Sequence, residues 1–175
     1  MNHNSEDQLP VLGIVIPCYK EEPVLPEITS RLSELLVEMA NENLISPSSC
    51  IWFIDDGSPD NTWEIISEIS RNNTKVRGIR LTRNRGHQNA LMAGLLTAKG
   101  DVLVSIDADL QDDITVIKQM MRDYIDGKDI VYGVRSSRTS DSWLKRTTAE
   151  GFYRLLKLIG VEIIYNHADF RLMSR

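Results

Sequence analysis

The sequence predicts an α/β domain with a mainly parallel sheet flanked by helices. Three observations carry that expectation. Short apolar runs rich in Val, Ile and Leu alternate with segments of helical periodicity along most of the chain. The runs have the continuous apolar character of strands buried on both faces. The intervening segments are long enough to serve as right-handed crossovers between parallel strands.

Each element has its own justification. Val11-Leu12-Gly13-Ile14-Val15-Ile16 reads as a buried strand stopping at Pro17. The polar loop Cys18-Tyr19-Lys20-Glu21-Glu22-Pro23 follows. From Val24, apolar residues at Leu25, Ile28, Leu32, Leu35, Leu36 and Met39 have helical spacing, and Pro26 suits a first turn. Residues 50–54 form a second strand that runs into Asp55-Asp56-Gly57-Ser58-Pro59-Asp60. Asn61 with Glu64 three residues on reads as a capping box, opening a helix whose buried face is Trp63, Ile66 and Ile69, with Ile65 as a further candidate. Val76 to Leu81 is the third strand, and His87 to Lys99 a mostly apolar helix closed by Gly100 as a C-cap. The fourth strand, Val102 to Ile106, ends in Asp107-Ala108-Asp109-Leu110-Gln111-Asp112-Asp113. A helix over Ile114 to Ile125 and a fifth strand over Ile130 to Val134 follow. Arg135 to Ser142 reads as a mobile basic loop, and Trp143 to Ile159 as a helix. That helix has two readings: an amphipathic element on a membrane surface, or a core-packed helix with a solvated basic face. Val161 to Tyr165 is a candidate last strand.

Composition excludes several classes. The 175 residues suffice for one domain with a real core. A net charge of −5 argues against a general nucleic-acid binder. Residues 135–157 nevertheless hold six Lys/Arg against two acids, a local patch that suits an anionic partner. Cys18 and Cys50 fall at opposite ends of neighbouring strands, on the order of 10 Å or more apart, so reduced thiols are expected. The polar start lacks a signal-peptide core, and no run approaches the roughly 20 apolar residues of a membrane span. Neither a G-x-G-x-x-G nor a Walker lysine motif is present, which argues against dinucleotide oxidoreductases and P-loop NTPases.

The chemistry concentrates in three acidic clusters at strand carboxyl ends: Glu21-Glu22, Asp55-Asp56 and Asp107/Asp109. In parallel sheets those ends share one rim, where ligands bind. Asp107 and Asp109 project the same way if the backbone stays extended. With the Gln111 carboxamide nearby, they suit a hard divalent cation that also binds phosphate oxygens. The competing reading is an Asp-rich turn with helix caps at Asp112 or Asp113. Acids away from a metal can accept hydrogen bonds from a nucleobase or ribose, and Tyr19 offers a ring for a base.

Taken in order, residues 15–22, 54–58, 83–88, 107–112 and 169–172 (VIPCYKEE, IDDGS, RNRGHQ, DADLQD and DFRL) resemble family 2 inverting glycosyltransferases. The branch resembled moves a hexose from a nucleotide sugar to a polyprenyl phosphate, as dolichyl-phosphate mannose synthases and undecaprenyl-phosphate glucosyltransferases do. The resemblance implies a GT-A type nucleotide-sugar-binding fold, with a flexible N-terminus over residues 1–9. It implies one glycosyltransferase domain over residues 10–175, truncated before a membrane region. It assigns Pro17, Tyr19, Glu21, Asp55 and Asp56 to the nucleoside pocket. It assigns Asp107, Asp109 and Gln111 to Mg²⁺ or Mn²⁺ with the donor diphosphate. Arg135, Lys145 and Arg146 are assigned to the acceptor phosphate, with Arg135 joining Asp107 and Asp109 as catalytic. Arg83 to His87 begins a helix under the donor site, and His87 is expected to be structural.

The implied partners are a nucleotide sugar (UDP-glucose over GDP-mannose), a polyprenyl phosphate, a membrane surface and a second copy in a homo-oligomer. The implied location is the cytoplasmic side of the cell membrane, although the chain itself reads as soluble. Three alternatives compete: a soluble transferase acting on a polysaccharide or glycan, a non-catalytic nucleotide- or metal-binding module, and a membrane-surface adaptor.

Overall fold

The computed structural model describes residues 9–134 and 167–175. The loop at 135–142, the helix expected over 143–159, the strand expected over 161–165, and Arg135, Lys145 and Arg146 lie outside the described residues. The chain divides into two compact units, Met1–Val131 with Asp169–Arg175, and Tyr132–Ala168. The site lies in the first.

Strands β1 (Leu12–Cys18), β2 (Cys50–Asp55), β3 (Val76–Arg80), β4 (Val102–Ser105), β5 (Ile130–Val134) and β6 (His167–Ser174) form one sheet in the order β3-β2-β1-β4-β6-β5. The helices are α1 (Leu25–Asn41), α2 (Thr62–Asn72), α3 (His87–Thr97) and α4 (Val116–Ile125). β1 pairs in parallel with β2 and β4, and β2 with β3. The α/β expectation therefore holds, with one addition. β6, not expected as a strand, lies antiparallel to β4, with Val104 opposite Leu172. The sheet is mixed rather than purely parallel.

β1 continues through Pro17 to Cys18 instead of stopping at the proline. Backbone alternation explains this. Val15 accepts from Ile106 on the β4 side, whereas Cys18 accepts from Asp56 on the β2 side. Pro17 shares the orientation of Val15, toward β4, but β4 has already ended at Ser105. The missing N–H therefore costs no ladder bond.

The two faces of the sheet are separate. A Cβ at Gly78 would meet Ile66 and Trp63 of α2. The neighbouring Ile79 packs instead with Ala90, Leu91 and Val15, in the cluster under α3. Strand alternation thus puts α2 and α3 on opposite faces. α1 buries Leu25, Ile28, Leu32, Leu35, Leu36 and Met39, the stripe its periodicity predicts. Lys118 of α4 bridges Glu38 and Glu42 near the end of α1.

Two helix ends differ from expectation. Gly100 is not the cap of α3; Ala98 is. Gly100 lies where a Cβ would come within 2.9 Å of the Val11 carbonyl oxygen, so close passage past β1 requires glycine. Asn61 precedes α2 without a capping side-chain bond. Its amide donates instead to the Glu22 carboxylate at 3.1 Å.

α3 packs on β1 and β2 through Gly94, where a Cβ would sit 2.5 Å from Val15 Cγ1 and 2.8 Å from Ile54 Cγ1. Gly94→Ala is expected to destabilise the fold by about 1–3 kcal/mol through overpacking. A urea midpoint equal to that of the wild type would refute this. Both cysteines are free, and the register puts Cys50 opposite Gly13 and Cys18 opposite Asp55. No helix among the described residues is long and apolar enough to cross a membrane.

Candidate active site

The strand ends build one rim. Cys18 and Asp55 end β1 and β2 in register. The chain after β4 leaves the sheet in a turn, with Leu110 in the left-handed region at φ 58°. The backbone does not stay extended through Asp107-Ala108-Asp109, as the sequence argument supposed. Both aspartates nevertheless line the same cleft of about 440 Å³. Its wall comes from four segments: Pro17, Cys18, Tyr19 and Glu21 after β1; Asp56 after β2; Asn84, Gly86, His87 and Ala90 around the start of α3; and Asp107, Ala108 and Asp109 after β4.

Side chains from the β2 loop and the first turn of α2 knit these segments together. The Ser58 hydroxyl accepts from the Lys20 N–H at 3.1 Å, and the Thr62 hydroxyl from the Glu21 N–H at 3.0 Å. Asp56, almost fully buried, accepts from the N–H groups of Arg85 (2.7 Å) and Gly86 (2.8 Å), one on each carboxylate oxygen. Gly57 makes this approach possible. It has φ 66°, and a Cβ there would lie 2.6 Å from the Arg83 carbonyl carbon. The D-D-G-S motif therefore holds the R-N-R-G-H motif in place.

Of the sequence-predicted residues, Pro17, Tyr19, Glu21, Asp56, Asp107 and Asp109 line the cleft. Asp55 does not. Its side chain is fully buried, with one oxygen accepting from the Ser58 N–H at 3.0 Å and the other 3.4 Å from Arg80 Nε. Arg80 in turn lies over the Trp63 ring. Asp55 is thus a fixed strut under the loop. Gln111 is not among the lining residues; its backbone N–H donates to Asp109 Oδ1 at 3.1 Å. Asp113 accepts from both the N–H and the hydroxyl of Thr115, which precedes α4.

Sequence reasoning missed Asn84 and His87 as cleft residues. His87 Nε2 lies 3.6 Å from Asp107 Oδ1, so the imidazole faces the rim acids from the first turn of α3. Its position depends on the Asp56 clamp, which spacing alone does not reveal.

The electrostatics follow from crowding. Burial pushes the Glu21 carboxyl above its ordinary value, and the charges of Asp109, Asp107 and Asp60 push it further. Glu21, Asp107 and Asp109 share the cleft, and the two aspartate charges oppose ionisation of Glu21. No group of three or more His, Cys, Asp or Glu forms a ready-made metal cage among the described residues. Mg²⁺ and Mn²⁺ bound with a diphosphate do not need one, because one or two carboxylates, waters and phosphate oxygens complete the shell. The donor set Asp107/Asp109, two carboxylates on the wall of one cleft beside Glu21, fits such a cation. The Cys18 thiol is pushed well above its ordinary value by burial, then by Glu21 and Asp55, and its Sγ donates to the Ile16 carbonyl. It is not a nucleophile at neutral pH.

Glu21 supplies a pH test. Its raised folded pKa means that the folded protein holds this proton more tightly than the unfolded chain does. Glu21 therefore costs stability as pH rises from the unfolded value, near 4.5, through the folded one. Glu21→Gln removes that cost. The variant is expected to melt above wild type at pH 7 without added cation, with the gap closing at pH 3.5. A gap that widens on acidification would refute the repulsion.

A central parallel sheet with helices on both faces and an acidic cleft at its carboxyl rim is a GT-A type architecture. The fold matches the mannosyltransferase of Pyrobaculum calidifontis, solved in complex with GDP-Man and Mn²⁺, at a TM-score of 0.60 and 18% identity, over 97% of this chain and 46% of that one. The chain belongs to glycosyl transferase family 2, whose pattern matches residues 13–175. It is 54% identical over 168 residues to an uncharacterised glycosyltransferase of Bacillus subtilis, covering 95% of this chain and 50% of that protein. It is 41% identical over 165 residues to a prophage bactoprenol glucosyl transferase homolog of Escherichia coli, covering 94% of this chain and 52% of that one. The chain thus spans about half the length of these curated relatives.

Proposed function

We propose that the protein transfers a hexose, with inversion, from a nucleotide sugar to a polyprenyl phosphate at the cytoplasmic face of the membrane, with UDP-glucose as donor. The convergence of Glu21, Asp107 and Asp109 on one cleft carries this reading. The names of the bactoprenol glucosyl transferase relatives support the acceptor.

Asp107 and Asp109 would hold Mg²⁺ or Mn²⁺, with Gln111 bracing Asp109 through its N–H. Such a cation, when bound, neutralises charge on the leaving diphosphate. Pro17 and the half-open Tyr19 ring flank the nucleobase. Glu21 and the remaining lone pairs of Asp56 accept from ribose or base. The acceptor phosphate is already anionic near neutral pH, and its oxygen bonds to the anomeric carbon as the bond to the diphosphate oxygen breaks. A separate strong base is not required, so positioning and charge stabilisation supply the catalysis. Arg135, Lys145 and Arg146 are proposed to receive the acceptor phosphate.

The test is transfer of labelled glucose from UDP-glucose, against mannose from GDP-mannose, to a short-chain polyprenyl phosphate with Mn²⁺. Glucosyl-phosphoryl-polyprenol is the expected product. Label entering a glycan instead would favour the soluble-transferase reading. UDP binding without any transfer would favour the binding module.

A further inference from the structure

The first turn of α3 carries an imidazole into a cleft rich in carboxylates. Among the described residues that line it, Glu21, Asp56, Asp107 and Asp109 are acids, and His87 is the one basic side chain.

The backbone at His87 is fixed on both sides. Gly86, immediately before it, donates its N–H to Asp56 at 2.8 Å. The Gly86 carbonyl accepts from the N–H groups of Asn89 (3.0 Å) and Ala90 (3.1 Å), which closes the first turn of the helix. On the β4 side, Ile106 is tied to β1 by its N–H bond to the Val15 carbonyl at 3.2 Å, and Asp107 follows it. Two anchored backbones thus bring His87 Nε2 to 3.6 Å from Asp107 Oδ1. Both side chains remain partly exposed, so the contact borders the open cleft and not the core.

Asp109 takes the N–H of Gln111, in its own turn, on Oδ1. Asp107 meets, from a separate element, a ring nitrogen that can donate. A carboxylate that binds a cation through one oxygen commonly takes a hydrogen bond on the other, and that partner sets its orientation. A gap of 3.6 Å is longer than a hydrogen bond, and contacts of this kind commonly tighten once a site is loaded.

We propose that His87 is a positioning residue: its Nε2–H holds Asp107 Oδ1 and turns the other carboxylate oxygen toward the cation. The neutral imidazole suffices for this. His87 then sets cation affinity without touching nucleotide or sugar. The role rests on the donor-site reading of Asp107 and Asp109 and adds to it a residue from α3.

The experiment is calorimetric titration of Mn²⁺ into the whole protein with excess UDP (GDP if wild type prefers it), for wild type, His87→Ala, His87→Gln and Asp109→Asn at one pH. The Gln amide supplies an N–H donor on a side chain of similar reach. His87→Ala is expected to weaken Mn²⁺ binding about tenfold or more, and His87→Gln to bind close to wild type. Nucleotide affinity without cation, and melting temperature, are expected to be the same in wild type and both His87 variants. In transfer assays, His87→Ala should need more Mn²⁺ for its half-maximal rate, with the rate at saturating Mn²⁺ near wild type. Mn²⁺ binding lost in Asp109→Asn but unchanged in His87→Ala would overturn the role of His87 and leave the donor site standing. So would a His87→Gln variant as weak as His87→Ala, or a His87→Ala variant that melts early and loses nucleotide without cation. Wild type that binds Mn²⁺ no better than Asp109→Asn would remove the donor-site reading, and the role of His87 with it.

Discussion

Asp109→Asn is expected to weaken Mn²⁺-dependent UDP binding, and to slow transfer, by at least about 100-fold. The substitution keeps the shape of the side chain and removes only its charge. Asp109 is exposed, and its carboxylate accepts from the Gln111 N–H in its own turn, a bond the Asn carbonyl oxygen preserves. Stability is therefore expected to change by no more than about 0.5 kcal/mol. Titration calorimetry of UDP and GDP, each with and without Mn²⁺, reads the effect directly. Nucleotide affinity that ignores both the cation and the substitution would remove Asp109 from the donor site. A preference for GDP over UDP would keep the site and change the donor.

The second large effect is structural in origin. Gly57→Ala forces a Cβ onto a residue with φ 66°, where it would also meet the Arg83 and Asn84 backbone at 2.6–2.8 Å. Left-handed strain and backbone collision together are expected to cost about 3 kcal/mol or more, a fall in melting temperature of roughly 6–12 °C for a chain of this size. The loss should reach the cleft as well. Moving Arg83 and Asn84 breaks the two bonds by which Asp56 holds Arg85 and Gly86, and with them the placement of Asn84 and His87. Thermal unfolding, with UDP titration well below the melting temperature, checks both parts. A variant that melts like wild type would mean that the two loops do not interlock as described.

Much of this was legible in the sequence, for definite physical reasons. β1, β2 and β4 sit in the middle of the sheet, so their apolar runs announce burial on both faces. Glu21, Asp56, Asp107 and Asp109 were legible because acids at strand carboxyl ends must share a rim in a parallel sheet. What escaped was set by tertiary contacts. β6 alternates buried Phe170 and Leu172 with half-buried Arg171 and Met173, too short a pattern to identify before its antiparallel partner is known. The assignment of Asp55 to the cleft failed because Arg80 and the Ser58 N–H claim its carboxylate. Asn61 looked like a cap, but the Glu22 carboxylate competes for its amide. The place of His87 on the cleft wall beside Asp107 escaped because nothing in its spacing reveals that Asp56 fixes the preceding loop.

The position of β6 also bears on how the chain emerges from the ribosome. β4 is an apolar strand buried along its whole length, and its second edge is covered by residues that follow it by some 70 positions. Until residues 167–174 are synthesised, β4 presents an unpaired, hydrophobic margin. Such a margin invites pairing with other nascent chains. Chains ending before His167 are thus expected to collect in the insoluble fraction even though every other strand flanking β1 is already complete.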